Sequence, residues 1–367
     1  MSCDLFSLAT IGVSGLTPYR PGKSIMELQR ELGLDEIIKL ASNENPLGPS
    51  QSVLDAINTS KDLSRYPDGD GFNLKKKLAE KHNVKTENIT LGNGSNDILE
   101  MVTRAFVTSN HEVIYSKHSF AVYTLVTQAV GAKHVVIPAY GWGHNLEKML
   151  ASVNTKTRLM FIANPNNPTG TWVDSKSLRN LLEKISKNTI VLVDEAYFDY
   201  AEADKEYPDC SQWINDFDNL VVTRTFSKAY GLAALRIGYS LSHPDTANLL
   251  NRVRQPFNNN SLALIAAEAA LDDKEYIRKS IEINNDGMKQ LIHAFDDMNL
   301  EYIPSKGNFI CVDFKQPSSV IYQKLLKAGV IVRPIPDYDM PNHLRISIGL
   351  EDENRKFVEE LHKIMLK

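Results

Sequence analysis

The chain has 367 residues, a length that favours one large domain with a smaller companion over a single hydrophobic core. Hydrophobic residues make up 43% and charged residues 23% of it, which is the mix of an ordinary globular protein and argues against a disordered, collagen-like or membrane protein. Its 41 lysines and arginines against 45 acidic residues give a formal net charge of -4, so we expect neither nucleic acid nor a membrane surface as a partner.

The cysteines and the N-terminal residues indicate the cellular compartment. Cys3, Cys210 and Cys311 are widely spaced and form no CxxC pair, so the sequence predicts neither a zinc site nor a disulfide framework. The first residues, MSCDLFSLATIG, have neither the basic start nor the sustained apolar stretch of a signal peptide. We therefore expect a cytoplasmic protein, and we expect no metal because the histidines are scattered.

The first two thirds of the chain predict a parallel sheet. Residues 16–23 and 42–50 are rich in Pro, Gly and Asn and should form loops, whereas residues 89–239 alternate short apolar runs with longer helical patterns. Such runs are typical of strands buried on both faces of a mainly parallel sheet, which binds ligands beyond the carboxyl ends of its strands. The runs lie at 89–91, 113–115, 135–137, 159–162, 190–193 and 220–223.

The last third of the chain predicts a smaller α+β domain. Residues 245–300 are mostly helical, with an interruption at 255–260 (QPFNNN) that we take as the passage between domains. Beyond it, strand patterns lie at 308–314, 330–333 and 344–348, and helical patterns lie at 318–328 and from 352 onward. The predicted division is an N-terminal arm with part of the small domain at 1–42, a large domain at 43–257 and a small domain at 258–367.

A lysine follows one of the predicted strands in the run TFSKAYGLAALRIGY. A buried lysine loses its charge more easily than an exposed one, which makes Lys228 a candidate to form an imine. Thr225, Ser227 and Arg236 are candidate phosphate ligands, because hydroxyls and a guanidinium donate directional hydrogen bonds. Taken alone, the Ser-Lys pair would indicate an ordinary loop lysine.

Two further motifs place polar side chains directly after strands. In VLVDEAYFDY, Asp194 would be costly to bury without a cation such as a protonated pyridine nitrogen, although it could instead cap the following segment. Tyr197 lies three residues further on and could bind the phenolic oxygen of such a cofactor. In NPNNPTG, Asn167 could donate to the same oxygen, although by composition alone this motif would be only a turn.

The motif LGNGSND, residues 91–97, leads from a strand into a helical pattern. Its glycines allow the backbone to close up, and Ser95 and Asn96 would lie at the helix N-terminus, where backbone amides favour a phosphate. A dinucleotide-binding fingerprint is rejected because Asp97 replaces its third glycine, and no GKS or GKT follows for a nucleotide P-loop.

In this order, and over nearly the whole chain from LTPYRPGK to HLRISIGL, these motifs resemble the fold-type I aminotransferases, and within them the histidinol-phosphate aminotransferase family. The resemblance implies a large domain with a mainly parallel seven-stranded sheet, pyridoxal 5′-phosphate as cofactor, and reversible amino transfer between L-histidinol phosphate and 2-oxoglutarate in histidine biosynthesis. It implies that Lys228 forms the Schiff base, that Asp194 pairs with the pyridine nitrogen, and that Tyr197 and Asn167 bind the phenolic oxygen. The residues that hold the phosphate would be Ser95, Asn96, Thr225, Ser227 and Arg236.

The resemblance also assigns substrate and partner contacts. Phe120 falls at the position that stacks on the cofactor ring, where relatives often have tyrosine. Tyr66, in SRYPDGDG, resembles a residue that reaches the active site of a neighbouring subunit, which implies a homodimer. Tyr19, Arg333 and Arg345 match positions that recognise substrate, with the arginines binding its phosphate in one half-reaction and a carboxylate of glutamate or 2-oxoglutarate in the other. Without this resemblance, both arginines could be solvated surface charges.

Alternative functions on the same scaffold stay open. A broad-specificity aromatic amino acid aminotransferase would share every cofactor residue, and a pyridoxal-phosphate-dependent phosphoamino-acid decarboxylase would share the scaffold but need no amino acceptor. A non-enzymatic regulator that binds the cofactor would carry an added DNA-binding domain, for which the motifs leave no room.

Overall fold

The computed structural model describes residues 3–19, 21–60 and 62–366. Within these residues the strands are β1 (Ile38–Leu40), β2 (Ile89–Gly92), β3 (Glu112–Ser116), β4 (Lys133–Ile137), β5 (Thr157–Ala163), β6 (Ile190–Asp194), β7 (Leu220–Thr225), β8 (Gly238–Ser242), β9 (Glu301–Ile303), β10 (Phe309–Asp313), β11 (Val330–Ile335) and β12 (Met340–Ser347). The α-helices are α1 (Leu5–Leu8), α2 (Ile11–Ser14), α3 (Ile25–Leu32), α4 (Gln51–Thr59), α5 (Phe72–His82), α6 (Ser95–Phe106), α7 (Ala121–Ala129), α8 (Leu146–Ala151), α9 (Ser175–Lys184), α10 (Phe198–Ala201), α11 (Pro244–Val253), α12 (Ser261–Asp272), α13 (Lys274–Asp297), α14 (Ser318–Lys327) and α15 (Glu351–Met365).

The larger sheet has seven strands in the described part of the chain, in the order β2-β8-β7-β6-β5-β3-β4. Neighbours from β4 to β7 run parallel, whereas β8 is antiparallel to both β2 and β7. The prediction of a mainly parallel sheet and the six strands predicted for it are confirmed. The seven strands that the family resemblance implies are also confirmed. The position of the seventh, β8, was not predicted, because Ser240 and Ser242 interrupt its apolar run although every residue in it is buried.

The smaller sheet has the order β1-β11-β12-β10-β9 within the described residues. The predicted strands at β10, β11 and β12 are confirmed, although β12 begins at Met340, four residues before the predicted strand. Strands β1 and β9 were not predicted, because three residues are too few to show a period. The first of them pairs in parallel with β11, so a segment near the N-terminus completes a sheet of C-terminal strands.

The larger sheet has a hydrophobic core on each face, and the smaller sheet has a core of its own. One core packs helices α4, α5 and α9 against the larger sheet, a second packs α6 and α7 against it, and a third packs α13, α14 and α15 against the smaller sheet. Helix α12 packs on α4, and its buried Ala263, Ala267 and Ala270 belong to the first core of the larger sheet. This packing favours a domain boundary after α12 over the predicted boundary between residues 257 and 258. The domain boundaries therefore stay a proposal. Among the described residues, no helix is long and apolar enough to cross a membrane.

Candidate active site

A cavity of about 300 Å³ lies beyond the carboxyl ends of the parallel strands, between the two sheets. Every residue that the sequence singled out for the site, except Tyr66, lines this cavity. They are Tyr19, Ser95, Asn96, Phe120, Asn167, Asp194, Tyr197, Thr225, Ser227, Lys228, Arg236, Arg333 and Arg345. The loops after β2, β5, β6 and β7 carry most of them, as expected for an open α/β sheet.

The side chain of Lys228 projects into the cavity three residues after the end of β7. Its Nζ lies 3.3 Å from the carbonyl oxygen of Ser42. Burial, together with the nearby positive charge of Arg345, lowers the pKa of this amine from 10.5 to about 8. An appreciable fraction of the side chain is therefore uncharged near neutral pH, as a nucleophilic amine requires.

Asp194 is the last residue of β6 and is only 5% exposed. Its Oδ2 accepts a hydrogen bond of 2.9 Å from the hydroxyl of Tyr123, whereas its Oδ1 has no hydrogen-bond partner of normal geometry among the described residues. Burial raises the pKa of the carboxyl from 3.8 to about 6, against the lowering effect of Tyr123. A buried oxygen without a partner is costly, so the carboxylate is suited to a cationic N–H donor inside the cavity.

Asn167 and Tyr197 are two further hydrogen-bond donors among the residues that line the cavity. Arg345 donates through Nη1 to Oδ1 of Asn167 at 2.5 Å; because a guanidinium only donates, the amide nitrogen of Asn167 must face the other way. The hydroxyl of Tyr197 accepts from Nδ2 of Asn43 at 2.9 Å, which leaves its own hydrogen for another acceptor. Burial raises the pKa of Tyr197 to about 12, so this hydroxyl remains protonated.

An anion cradle lies at the N-terminus of α6. Its N-cap, Gly94, has a φ of +80°, and a Cβ there would lie 2.4 Å from Nη2 of Arg236, so glycine allows this guanidinium to approach the helix end. Nη1 of Arg236 lies 3.3 Å from Oγ of Ser227, and the backbone N–H of Ser227 donates to Oγ1 of Thr225 at 3.1 Å. A helix N-terminus combined with a guanidinium and hydroxyls suits a phosphate.

Asp97 closes the loop that forms this cradle. Its Oδ2 accepts from the backbone N–H of Asn93 at 2.8 Å and from Nδ2 of Asn258 at 2.7 Å. Asp97, which replaces the third glycine of a dinucleotide-binding fingerprint, therefore holds the turn before α6 in place.

Two arginines lie side by side on neighbouring antiparallel strands. Arg333 on β11 is directly opposite Arg345 on β12. Arg345 is 8% exposed, and its Nη2 donates to the carbonyl oxygen of Ala41 at 2.8 Å, whereas the guanidinium of Arg333 lies over the ring of Tyr19 at 5.9 Å. Like charges in directly opposed positions destabilise a sheet, so this pair is suited to an anion that binds both.

Residues 35–361 match the family model described as aminotransferase class I and II. The chain is 54% identical to histidinol-phosphate aminotransferase 2 of Pseudomonas fluorescens strain Pf0-1, over 100% of this chain and 99% of that protein. It is 52% identical to histidinol-phosphate aminotransferase 1 of Idiomarina loihiensis, over 98% of each protein. The chain belongs to the histidinol-phosphate aminotransferase family.

Solved structures agree with this assignment. The crystal structure of histidinol-phosphate aminotransferase from Sinorhizobium meliloti in complex with pyridoxal 5′-phosphate superposes with a TM-score of 0.90 at 29% identity, over 100% of this chain and 99% of that one. L-threonine-O-3-phosphate decarboxylase from Porphyromonas gingivalis superposes with a TM-score of 0.77 at 20% identity, over 90% of this chain and 100% of that one. The second likeness shows the shared fold alone.

The cofactor of this aminotransferase is pyridoxal 5′-phosphate, and the cavity fits it chemically. The Oδ1 of Asp194, which lacks a protein donor, suits the protonated ring nitrogen, and the cradle at Arg236 suits the phosphate. Lys228 provides an amine of lowered pKa in the same cavity.

Two residues that line the cavity of the aminotransferase, and one that lies behind it, were not predicted from the sequence. Asn43 follows β1 and contacts Tyr197, Tyr338 lines the cavity from the loop between β11 and β12, and Tyr123 lies behind Asp194. The SNENPLG loop at Asn43 was predicted only as a loop. A weak signal for Tyr123 was its position three residues after Phe120, one helical turn away.

Tyr66 lies outside the cavity of its own chain. It is 81% exposed, and its ring stacks on Phe257 with the centroids 4.6 Å apart and the planes 19° apart. Leu63 and Phe72, also in this region, are exposed as well, at 71% and 61%. Tyr66 and Phe257 therefore form an exposed aromatic pair, and Leu63 and Phe72, close to Tyr66 in the sequence, are further exposed apolar side chains of the aminotransferase.

Proposed function

We propose that this chain catalyses reversible amino transfer between L-histidinol phosphate and 2-oxoglutarate, giving imidazole acetol phosphate and glutamate, as a step of histidine biosynthesis. The observation that carries the proposal is the opposed pair Arg333 and Arg345, which forms a second anion site in a cavity that already has a phosphate cradle at Arg236. One anion site serves the cofactor, and the other serves a substrate with a phosphate or a second carboxylate.

The residues of the cavity would divide the work as follows. When bound, pyridoxal 5′-phosphate supplies an aldehyde that takes up the amino group and an electron-withdrawing ring that stabilises negative charge at the α-carbon of the substrate. Asp194 would hold the ring nitrogen in its protonated form, Tyr197 and Asn167 would donate to the phenolic oxygen, and Phe120 would pack on the ring face; all four line the cavity. The phosphate would be held by Ser95, Asn96, Thr225, Ser227 and Arg236, which also line it.

Lys228 would act twice in each half-reaction. Its amine, partly uncharged near neutral pH, would be the nucleophile that holds the cofactor in the resting enzyme. Once the substrate is bound, the same amine would remove the proton from the α-carbon as general base and return a proton as general acid. A pKa of about 8 suits both roles, because the amine can exchange a proton near neutral pH.

The two half-reactions need one site to accept two anions. The guanidinium groups of Arg333 and Arg345 can bind the phosphate of histidinol phosphate, and the same donors can bind a carboxylate of glutamate or 2-oxoglutarate. Tyr19, which packs against Arg333, would close this end of the cavity over the substrate.

A panel of amino donors tests the proposal. The purified protein, loaded with pyridoxal 5′-phosphate and supplied with 2-oxoglutarate, should form glutamate fastest from L-histidinol phosphate. Comparable kcat/KM values for phenylalanine or tyrosine would favour the broad aromatic aminotransferase instead. Release of carbon dioxide from a phosphoamino acid, without any amino acceptor, would favour the decarboxylase.

Replacing Arg333 with lysine should weaken substrate binding and leave cofactor binding unchanged. Lysine keeps the charge but loses the two parallel donors, and a hydrogen bond to a charged group is worth about 1.5–3 kcal/mol, so KM should rise on the order of 10-fold or more. The rise should appear for histidinol phosphate and for 2-oxoglutarate alike, as measured by steady-state kinetics. Arg278→Lys, on the exposed face of α13, is the control; a rise for only one substrate would contradict a shared anion site.

We further propose that the enzyme is a homodimer in which Tyr66 of each chain completes the active site of the other. The exposed Tyr66 lies outside its own cavity, and the apolar side chains around it offer a surface for a second copy. A closed twofold dimer would form two equivalent shared sites.

Mixing two inactive variants tests the shared site. Tyr66→Ala and Lys228→Ala chains, each of low activity alone, should regain activity after they are mixed under mild denaturant and refolded together. In the mixed dimer one site combines Tyr66 from one chain with Lys228 from the other, so up to about a quarter of wild-type activity should return. Activity that stays at the level of the separate variants would contradict the proposal.

A cytoplasmic location is also part of the proposal. Cys3, Cys210 and Cys311 are free thiols, two of them buried, which is typical of proteins in a reducing compartment.

A further inference from the structure

Tyr123 contacts two of the residues that surround the cofactor ring in the proposed function. Its hydroxyl donates to Oδ2 of Asp194 at 2.9 Å, and its ring meets that of Phe120 edge-to-face, with the centroids 5.9 Å apart and the planes at 90°. Phe120 is the N-cap of α7 and Tyr123 lies in the first turn of that helix. One buried side chain therefore links the carboxylate at the ring nitrogen with the aromatic side chain at the ring face.

The position of Tyr123 is fixed from the side away from the cavity. Its ring stacks on Phe161 of β5 with the centroids 4.5 Å apart and the planes within 4° of parallel. Both rings are fully buried in the core between the larger sheet and helices α6 and α7, and the carbonyl oxygen of Tyr123 accepts from the hydroxyl of Thr127 at 2.6 Å. The hydroxyl of Tyr123 is thus held by packing, and little entropy is lost when it donates to Asp194.

This hydrogen bond decides which carboxylate oxygen serves the cavity. Because Oδ2 of Asp194 is occupied by Tyr123, Oδ1 is the oxygen that remains for a ligand. Burial and the charge of Asp194 raise the pKa of Tyr123 well above 10, so its hydroxyl stays a donor. The donated hydrogen in turn lowers the pKa of Asp194 against the effect of burial and favours the charged carboxylate.

We propose that Tyr123 is a positioning residue for the cofactor: its hydroxyl orients Asp194 so that Oδ1 faces the ring nitrogen, and its ring packs against Phe120 and supports it at the ring face. This inference rests on the proposed function and extends it to a residue that does not line the cavity. Tyr123 acts through Asp194 and Phe120, and it needs no contact of its own with substrate.

Tyr123→Phe tests this inference with the smallest possible change. The variant keeps the stacking on Phe161 and removes only the hydroxyl. Tyr115→Phe is the matched control, because it removes a hydroxyl in the same core that bonds to His134 at 2.8 Å and to Thr124, and not to Asp194. Thermal unfolding of both variants without cofactor shows whether folding is intact.

The dissociation constant of pyridoxal 5′-phosphate, measured by equilibrium dialysis, should rise on the order of 10-fold in Tyr123→Phe, because Oδ1 of Asp194 is no longer held toward the ring nitrogen and their buried charge pair is weakened. The pH midpoint of the visible absorbance of the bound cofactor should also move upward. When Asp194 is held less firmly, its carboxylate stabilises the protonated ring nitrogen less, and the ring becomes a weaker electron acceptor. The nitrogen that joins Lys228 to the cofactor then has a higher pKa and keeps its proton to higher pH. Both quantities should stay at wild-type values in Tyr115→Phe.

A double variant separates orientation of Asp194 from general packing. In the Asp194→Asn background, Tyr123→Phe should change the dissociation constant less than about 2-fold, because the carboxylate it orients is already absent. An equal loss in both backgrounds, or a Tyr123→Phe enzyme with wild-type affinity and absorbance, would overturn the inference and leave the proposed function intact. If borohydride treatment of the wild-type protein loaded with cofactor gave no reduced adduct at Lys228, both the inference and the proposed function would be overturned.

Discussion

Lys228→Ala is expected to lower kcat for amino transfer by at least about 10⁴-fold, the upper range for loss of a general acid–base group, with the loss of the covalent link added to it. In the described part of the chain, no other lysine lines the cavity, so no second amine is in place to substitute for Lys228. The remaining basic side chains there are arginines, which stay protonated at neutral pH and cannot accept the α-proton.

The variant should still bind the cofactor. The anion cradle at Gly94 and Arg236 is independent of Lys228, so pyridoxal 5′-phosphate should bind without a covalent bond and be removed by dialysis. Borohydride treatment followed by peptide mapping should find the reduced adduct at residue 228 in the wild type and none in the variant. Lys133→Ala, whose side chain is 70% exposed and paired with Glu112, is the control. Turnover by Lys228→Ala within 10-fold of the control would refute the role of this amine.

Asp194→Asn should lower kcat/KM on the order of 10²- to 10³-fold while leaving the shape of the side chain unchanged. The amide cannot offset a positive charge on the ring nitrogen, and breaking a buried charge pair costs about 3–5 kcal/mol. Without that charge the ring is a weaker electron acceptor, so the loss should fall mainly on kcat. Single-turnover kinetics with glutamate, followed by absorbance, measures the step directly. A change confined to KM would argue that Asp194 only shapes the cavity.

The same substitution should stabilise the cofactor-free protein. Burial raises the pKa of Asp194 from 3.8 to about 6, so the folded state holds this proton more tightly than the unfolded state does. The stability contributed by the protonated carboxyl is complete below pH 3.8 and is lost as pH rises through 6. Above pH 6 the wild type should therefore be less stable than Asp194→Asn by roughly 3 kcal/mol, from a shift of about two pKa units.

Urea unfolding of both cofactor-free proteins at pH 5 and at pH 8 measures this difference. The advantage of Asp194→Asn should be larger at pH 8, and saturating cofactor should reduce or reverse it, because the wild type then gains the charge pair. An advantage that is the same at both pH values would show that the carboxyl titrates normally.

The features that could be predicted from the sequence are those that follow directly from buried strands. Asp194, Asn167 and Ser95 each come within a few residues of an apolar run, and a polar side chain at that point of a parallel sheet faces the ligand edge. The strands themselves were predictable for the same reason, since an unbroken apolar run is typical of a strand covered on both faces.

The features that were missed depend on contacts between distant segments. Asn43 reaches Tyr197 only because β1 pairs with β11, and three residues carry no periodic signal of that pairing. Tyr123 has the pattern of an ordinary core residue on a helix, and only its contact with Asp194 distinguishes it. The serines of β8 are buried within a sheet and so escape a pattern based on hydrophobicity.

The pairing of strand β1 has a consequence for the order in which the site assembles. Ile38 pairs with Val330, and the residues that follow β1 supply the carbonyl oxygen of Ser42 beside Lys228 and an N–H from Asn43 to Ser347 at 2.7 Å. One wall of the cavity therefore combines segments that are far apart in the chain. A growing chain that has reached only β8 holds every strand of the larger sheet and the anion cradle, but the cavity is complete only once β11 and β12 have been made, and β1 has no strand partner until then.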